Sequence, residues 1–188
     1  MSFSNLLLNK TIENPGKTIT ANRMKRLEGN LFNILYNLHK FITWIFTDKL
    51  INFGNYSCLP RYHVENLIEQ GSLWNSFSGT VAKTIDERIG IKTDKGKRYY
   101  GPSQLSLLNM FIHSFTISSV FKKKLTIRTI LFCVFFLLLY FISKLNLALL
   151  IIFFLLVYLL INLFVSKRNN LSQLKSSIEN IRNIEILK

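Results

Sequence analysis

The sequence predicts a mainly α-helical membrane protein: a two-helix transmembrane hairpin, amphipathic and peripheral helices on one side of the bilayer, and one possible small β-hairpin. Three observations carry this expectation. From Thr129 to Val165 there are 37 residues with one charge, Lys144. Basic residues crowd both flanks of that run. Elsewhere apolar residues recur at three- and four-residue steps, the period of a one-sided helix. Hydrophobic residues make up 49% and charged residues 18%, which excludes wholesale disorder. Cys58 and Cys133 are too few for a disulfide framework.

Near the N-terminus, Leu6-Leu7-Leu8 is too short for the apolar region of a secretory signal. Lys10, Lys17, Arg23, Lys25 and Arg26 are interrupted by Glu13, Glu28 and a Pro15-Gly16 break, a poor match to a mitochondrial presequence. From Leu31 to Leu50, residues Leu31, Ile34, Leu35, Leu38, Phe41, Ile42, Ile45 and Phe46 mark an amphipathic helix with Asn30 placed as N-cap. His39-Lys40 and Asp48-Lys49 exclude it as a span, so it belongs at the membrane interface or against a partner.

Residues Asn52 to Gly79 read as a Gly/Asn/Ser-punctuated loop around a short helix near His63 to Gln70. Ile89 to Tyr100 reads as a β-hairpin turning at Asp94-Lys95-Gly96. A second amphipathic helix, Gln104 to Val120, carries Leu105, Leu108, Phe111, Ile112 and Phe115 and is expected to lie along the membrane.

A single helix over the apolar run would be about 55 Å long, against a hydrocarbon core of ~30 Å, and would bury Lys144 near mid-bilayer. Breaking it at Ser143-Lys144-Leu145-Asn146 gives spans of about Ile127 to Ser143 and Leu147 to Val165, with Asn146 as the expected left-handed turn residue. Lys122, Lys123, Lys124 and Arg128 precede the first span; Lys167 and Arg168 follow the second. The positive-inside rule places both termini on that basic side. These six cations are the expected contacts for anionic lipid headgroups, cardiolipin included. The hairpin holds no Asp, Glu or His, so ion conduction through it is not expected.

The tail, Asn170 to Lys188, carries a stripe of Leu171, Leu174, Ile178 and Ile181. Under three heptads long, it is expected to dock on a neighbouring helix. Three apolar helix faces and no evident self-contained core point to one part of a larger assembly. The chain thus divides into an extramembrane region (1–125), a hairpin (126–166) and a C-terminal helix (167–188).

No chemistry-bearing motif is present: GxxxxGK[ST], GxGxxG and GxSxG are absent and no carboxylate pair stands out. No enzyme activity, metal or cofactor is expected. Cys58 and His63 lack a second ligand pair for zinc, and His113 lacks a visible partner for haem. Lys95-Gly96-Lys97-Arg98 before Tyr99-Tyr100 has the look of a base-stacking surface, but no RNA-binding module surrounds it, so nucleic acid is not among the expected partners.

Phe, Tyr, Met, Ile, Asn and Lys supply 82 residues and Gly, Ala, Arg and Pro only 22, a skew that reads as an AT-rich genome. In LFCVFFLLLYFIS, LIIFFLLVYLLINLF and the Asn/Lys/Tyr-rich loops, the chain resembles the divergent proteins encoded in ciliate mitochondrial genomes, several of which are respiratory-complex subunits. The resemblance lies in composition and layout. It implies a non-catalytic accessory subunit of an oxidase, NADH dehydrogenase or ATP synthase in the mitochondrial inner membrane, with both termini in the matrix and other subunits as partners. A membrane-shaping hairpin of an endomembrane and a membrane-attached RNA-binding or ribosomal protein are the alternatives.

Overall fold

The long apolar run folds as two helices joined by one sharp turn, and the rest of the chain packs at the open end of that hairpin. A computed structural model describes residues 3–23, 30–93 and 107–182. In chain order these hold α1 (Phe3–Glu13), β1 (Thr18–Arg23), α2 (Asn30–Thr47), β2 (Phe53–Cys58) and α3 (Arg61–Ile68). A 3-10 turn (Gly71–Trp74) leads to α4 (Phe77–Thr84), β3 (Arg88–Thr93) and α5 (Leu107–Ser119), and then to α6 (Lys122–Ser143), α7 (Asn146–Ser166) and α8 (Leu171–Arg182).

Helices α6 and α7, of 22 and 21 residues, are long and apolar enough to cross a membrane. Their lengths correspond to about 33 and 32 Å. Only 11% of each apolar window is buried within the chain, whereas the core helix of a water-soluble fold is mostly buried. The break falls where the sequence places it, but the left-handed residue is Lys144 (φ 53°), not Asn146. Lys144 is the C-cap of α6, its N–H donating to the Tyr140 carbonyl, while Asn146 already begins α7. Ala148, 1% exposed, lets α7 approach closely beside the turn. Helix α6 also starts five residues before the expected span, and its first turns are embedded in the rest of the chain: Leu125 and Thr129 are fully buried.

The sheet departs most from expectation. Its order is β2-β1-β3, with β2 antiparallel and β3 parallel to the central β1. From Asn52 the expected short helix is present as α3, but the residues expected as loop around it supply an edge strand, β2, before it and the 3-10 turn and α4 after it. The first arm of the expected hairpin is strand β3, but its described partner is β1 in parallel; the Asp94-Lys95-Gly96 turn and the second arm lie outside the described residues. Strand β1 was not anticipated. Thr18, Ile19, Thr20 and Ala21 are all buried, as a central strand covered on both faces requires. Gly16 (φ +89°) makes the turn from α1 into β1, and the Tyr62 hydroxyl on α3 donates to its carbonyl. The Asn22 side chain fills the space over Gly90, so that a Cβ there would lie 2.0 Å from its nitrogen and would displace it.

A hydrophobic core does form within the chain, contrary to the expectation of three faces without one. Ile51 and Phe53 before and in β2, Leu67 of α3, Val81 and Ala82 of α4, Ile85, and Ile117, Val120 and Phe121 around the end of α5 pack together, with Leu59, Leu73 and Phe77 against them. The Ser76 hydroxyl caps α4 by accepting from the Gly79 N–H (3.2 Å). Arg88 closes the other end, donating to the Val81 and Ala82 carbonyls while its guanidinium lies 5.8 Å from the Phe53 ring centroid.

Helices α2 and α5 form where the sequence places them, and much of each apolar stripe stays outside the chain's own core. Helix α2 ends at Thr47, not Leu50, because Asp48 adopts a left-handed conformation (φ 60°). It turns Thr43, Phe46 and Thr47 inward and leaves Ile34, Leu38, Phe41 and Trp44 exposed. Helix α5 buries Met110, Ser114, Thr116, Ile117 and Ser118, while Leu108, Phe111 and Ile112 are exposed and Phe115 is half-buried; Leu105 lies outside the described residues. Helix α8 is capped by the Asn170 carboxamide oxygen, which accepts from the Ser172 and Gln173 N–H groups. It packs on the 3-10 turn through buried Leu174, with the Leu171 backbone so near Gly71 that a Cβ there would sit 3.1 Å from its nitrogen. Leu171 is partly exposed, and the side chains of Ile178 and Ile181 lie outside the described residues.

Candidate functional site at the base of the hairpin

Four chain segments meet where the two apolar helices leave the rest of the fold: the end of α2, the end of α4, the start of α6 and the stretch after α7. The first contact there is a clamp. Arg128, one turn into the apolar part of α6, donates to both the Asp48 carboxylate and the Ile45 carbonyl at the end of α2. Lys124 Nζ lies 3.7 Å from the same carboxylate. The left-handed turn at Asp48 is what aims its side chain at α6. The Arg128 hydrogen bond holds the Asp48 carboxyl below its ordinary range, and Lys124 adds to the effect.

Arg128, expected at lipid headgroups, is therefore engaged by the protein itself. Lys49 pairs with Asp86 at 2.6 Å, and that contact holds the Asp86 carboxyl low as well.

Below the clamp, a cleft of about 200 Å³ is lined by Lys49, Lys83, Lys122, Lys123 and Lys124, with Val120, Phe121 and Asn169 completing the wall. The sequence singles out Lys122 to Lys124; Lys49, Lys83 and Asn169 are brought to them only by folding. No salt bridge among the described residues engages Lys83, Lys122 or Lys123. Burial, and then repulsion from Lys122 and Lys123, holds the Lys83 ammonium below the usual lysine range. Lys167 and Arg168 follow α7 directly and do not line this cleft.

Above the clamp, aromatic rings bind the helices together. Phe46 of α2 meets Phe132 of α6 (centroids 5.7 Å) and Tyr158 of α7 (5.1 Å), and Phe115 of α5 meets Tyr158 (5.7 Å). Asn162, well inside α7, is fully buried and donates to the Tyr158 carbonyl (2.9 Å). Asn75 ties the 3-10 turn to the same base, donating to Ser119 Oγ (2.7 Å).

One histidine takes a structural place. His63 is buried on α3, its Nδ1 2.7 Å from Thr18 Oγ1, fastening the helix to the central strand, whereas Cys58 ends β2. No group of three or more His, Cys, Asp or Glu able to hold a metal occurs among the described residues. His39 and His113 border a cleft of about 280 Å³ between α2, α5 and β2, with Tyr36 and Tyr56 beside them. Compared with known protein families, curated proteins and solved structures, the chain matches none.

Proposed function

We propose that this protein is a hairpin-anchored, non-catalytic structural subunit of a multi-subunit membrane complex, of the mitochondrial inner-membrane respiratory kind, with both termini on the matrix side. The observation that carries the proposal is the division of the molecule. Two adjacent helices of bilayer length expose apolar side chains on nearly every side, as at Ile142 (82% exposed) and Phe164 (72%), and everything else packs at their open end. Lys122 to Lys124, Lys167 and Arg168 are at that end and only Lys144 is at the turn, the asymmetry that sets orientation in membranes. Membership of a larger assembly is supported by the outward stripes of α2 (Ile34, Leu38, Phe41, Trp44) and α5 (Leu108, Phe111, Ile112), which the chain's own core leaves uncovered.

Two measurements on the native membrane test the proposal. Alkaline carbonate should leave the chain in the pellet, and protease added from the side facing the turn should spare everything before Lys122. On native gels after mild detergent it should migrate with a complex far larger than its 21.9 kDa. Release by carbonate would remove the hairpin anchor; migration as a monomer or self-oligomer would remove the subunit role.

A further inference from the structure

We infer that the cleft between α4, the start of α6 and the end of α7 is a binding site for a phosphate group. Five lysines from three separate segments converge on about 200 Å³, the space of some six or seven waters by their share of liquid volume. Two carboxylates offset part of this charge: Asp86 on Lys49, and Asp48, shared between Lys124 and Arg128. Lys83, Lys122 and Lys123 have no salt-bridge partner among the described residues and are left to meet whatever enters.

The backbone points the same way. Helix α6 begins here with no side-chain cap on its N-cap residue and no acidic residue in its first turn. It therefore presents free N–H groups and the positive end of the helix dipole. Placing three lysines at that end is electrostatically adverse, and an anion in the cleft offsets the repulsion because the lysines and the helix end all attract it.

Asn169 supplies a further polar group. Its side-chain oxygen is buried without a hydrogen-bond partner. Since a half-turn about the Cβ–Cγ bond exchanges the carboxamide oxygen and nitrogen, the same side chain can present an N–H to an oxyanion. Val120 and Phe121 close the inner wall as apolar surface, 2% and 5% exposed, which lowers the local dielectric around the bound charge.

The site stands at the level where α6 and α7 emerge, so a phospholipid headgroup is one source of phosphate; a soluble phosphate compound is the other. The lipid source rests on the proposed hairpin anchor, whereas the phosphate site itself does not.

The test uses the full chain in a neutral detergent, with affinities from titration calorimetry for short-chain phosphatidylglycerol, short-chain phosphatidylcholine and pyrophosphate. The wild-type chain should bind phosphatidylglycerol or pyrophosphate in preference to phosphatidylcholine. Preference for the lipid identifies a headgroup, and equal or tighter pyrophosphate binding identifies a soluble phosphate. Changing Lys83→Gln and Lys123→Gln together should weaken binding roughly 25-fold, about 2 kcal/mol. Lys83→Arg should retain it, and Lys10→Gln on the remote helix α1 should leave it unchanged. The inference is overturned if the wild-type chain binds neither phosphate compound, if phosphatidylcholine binds as tightly, if the double variant binds normally, or if Lys10→Gln weakens binding as much. Since no membrane is involved, failure of hairpin insertion in the carbonate experiment leaves this result independent.

Discussion

Replacing Gly79 with Ala probes the contact on which the basic cleft depends, the crossing of α4 over α5. In isolation the change should help, since Ala is favoured over Gly inside a helix by roughly 0.5–1 kcal/mol. The structure reverses the sign. A Cβ at this position would lie 3.1 Å from Ser76 Oγ, 3.1 Å from Val120 Cγ2 and 3.3 Å from the Ile117 carbonyl oxygen. The carbonyl is backbone and Val120 is 2% exposed, so neither can yield without moving α5. The Ser76 hydroxyl can rotate away, but it then gives up its cap on the Gly79 N–H. Overpacking of this kind costs about 1–3 kcal/mol and loss of a cap about 1 kcal/mol. Against the propensity gain, a net loss of ~1–3 kcal/mol remains, or a melting temperature lower by roughly 2–12 °C for a chain of this size. Thermal melting of the full chain in neutral detergent, followed by near-ultraviolet circular dichroism, reads it directly. An unchanged or higher melting temperature would show that α4 and α5 are not in such close contact, and the position of Lys83 opposite Lys122 and Lys123 would lose its basis.

Acid should loosen the clamp at the base of the hairpin. The folded pKa values of Asp48 and Asp86 lie below the ordinary 3.8, so their contribution is fully present above pH ~4 and is lost as pH falls through the folded values. Melting temperature should therefore drop less steeply below pH ~4 in Asp48→Asn than in the wild-type chain; parallel curves would refute the clamp. Lys144→Gly should stabilise the hairpin by roughly 0.5–1 kcal/mol, because glycine adopts a left-handed conformation without the Cβ penalty; a lower melting temperature would refute that turn. Leu174→Ala should cost about 2–3 kcal/mol and speed hydrogen exchange in residues 171–182, whereas unaltered exchange there would mean that α8 does not depend on the 3-10 turn.

The hairpin was legible in the sequence because 37 residues with one charge admit few alternatives, and its break is marked by Ser143-Lys144. Helices α2 and α5 were legible as periods, and their apolar stripes as faces for a membrane interface or a partner; the small polar residues that carry their inward packing were not, because a period marks only its apolar members. Here Thr43, Thr47, Ser114 and Ser118 face in while Ile34, Phe41, Leu108 and Phe111 face out, the arrangement of helices that pack by small residues and keep apolar groups for lipid or a partner. The strands were hidden for another reason. Strand β1, TITANR, pairs with residues near positions 55 and 90, and nothing local announces partners so far along the chain. The cleft was half visible: Lys122 to Lys124 stand together in sequence, but positions 49, 83 and 169 join them only through the fold.

The base of the hairpin also argues against a simple tether. In a tethered domain the contacts would stop at the surface from which the anchor emerges. Here they continue along α6 and α7: Leu125 and Thr129 are fully buried, Arg128 is held by Asp48 and the Ile45 carbonyl, and Phe46 and Phe115 reach rings at positions 132 and 158. Tyr158 lies eight residues before the end of α7 and Phe132 ten residues after the start of α6. At 1.5 Å per residue these contacts are about 12–15 Å up the hairpin, a large part of a ~30 Å hydrocarbon core. With α6 and α7 across a bilayer, parts of α2 and α5 would then share its depth, and their outward apolar residues would meet lipid or neighbouring subunits instead of water. Folding of the N-terminal region and insertion of the hairpin then become one event, because the rings of Phe46 and Phe115 have no complete packing until Phe132 and Tyr158 are in place.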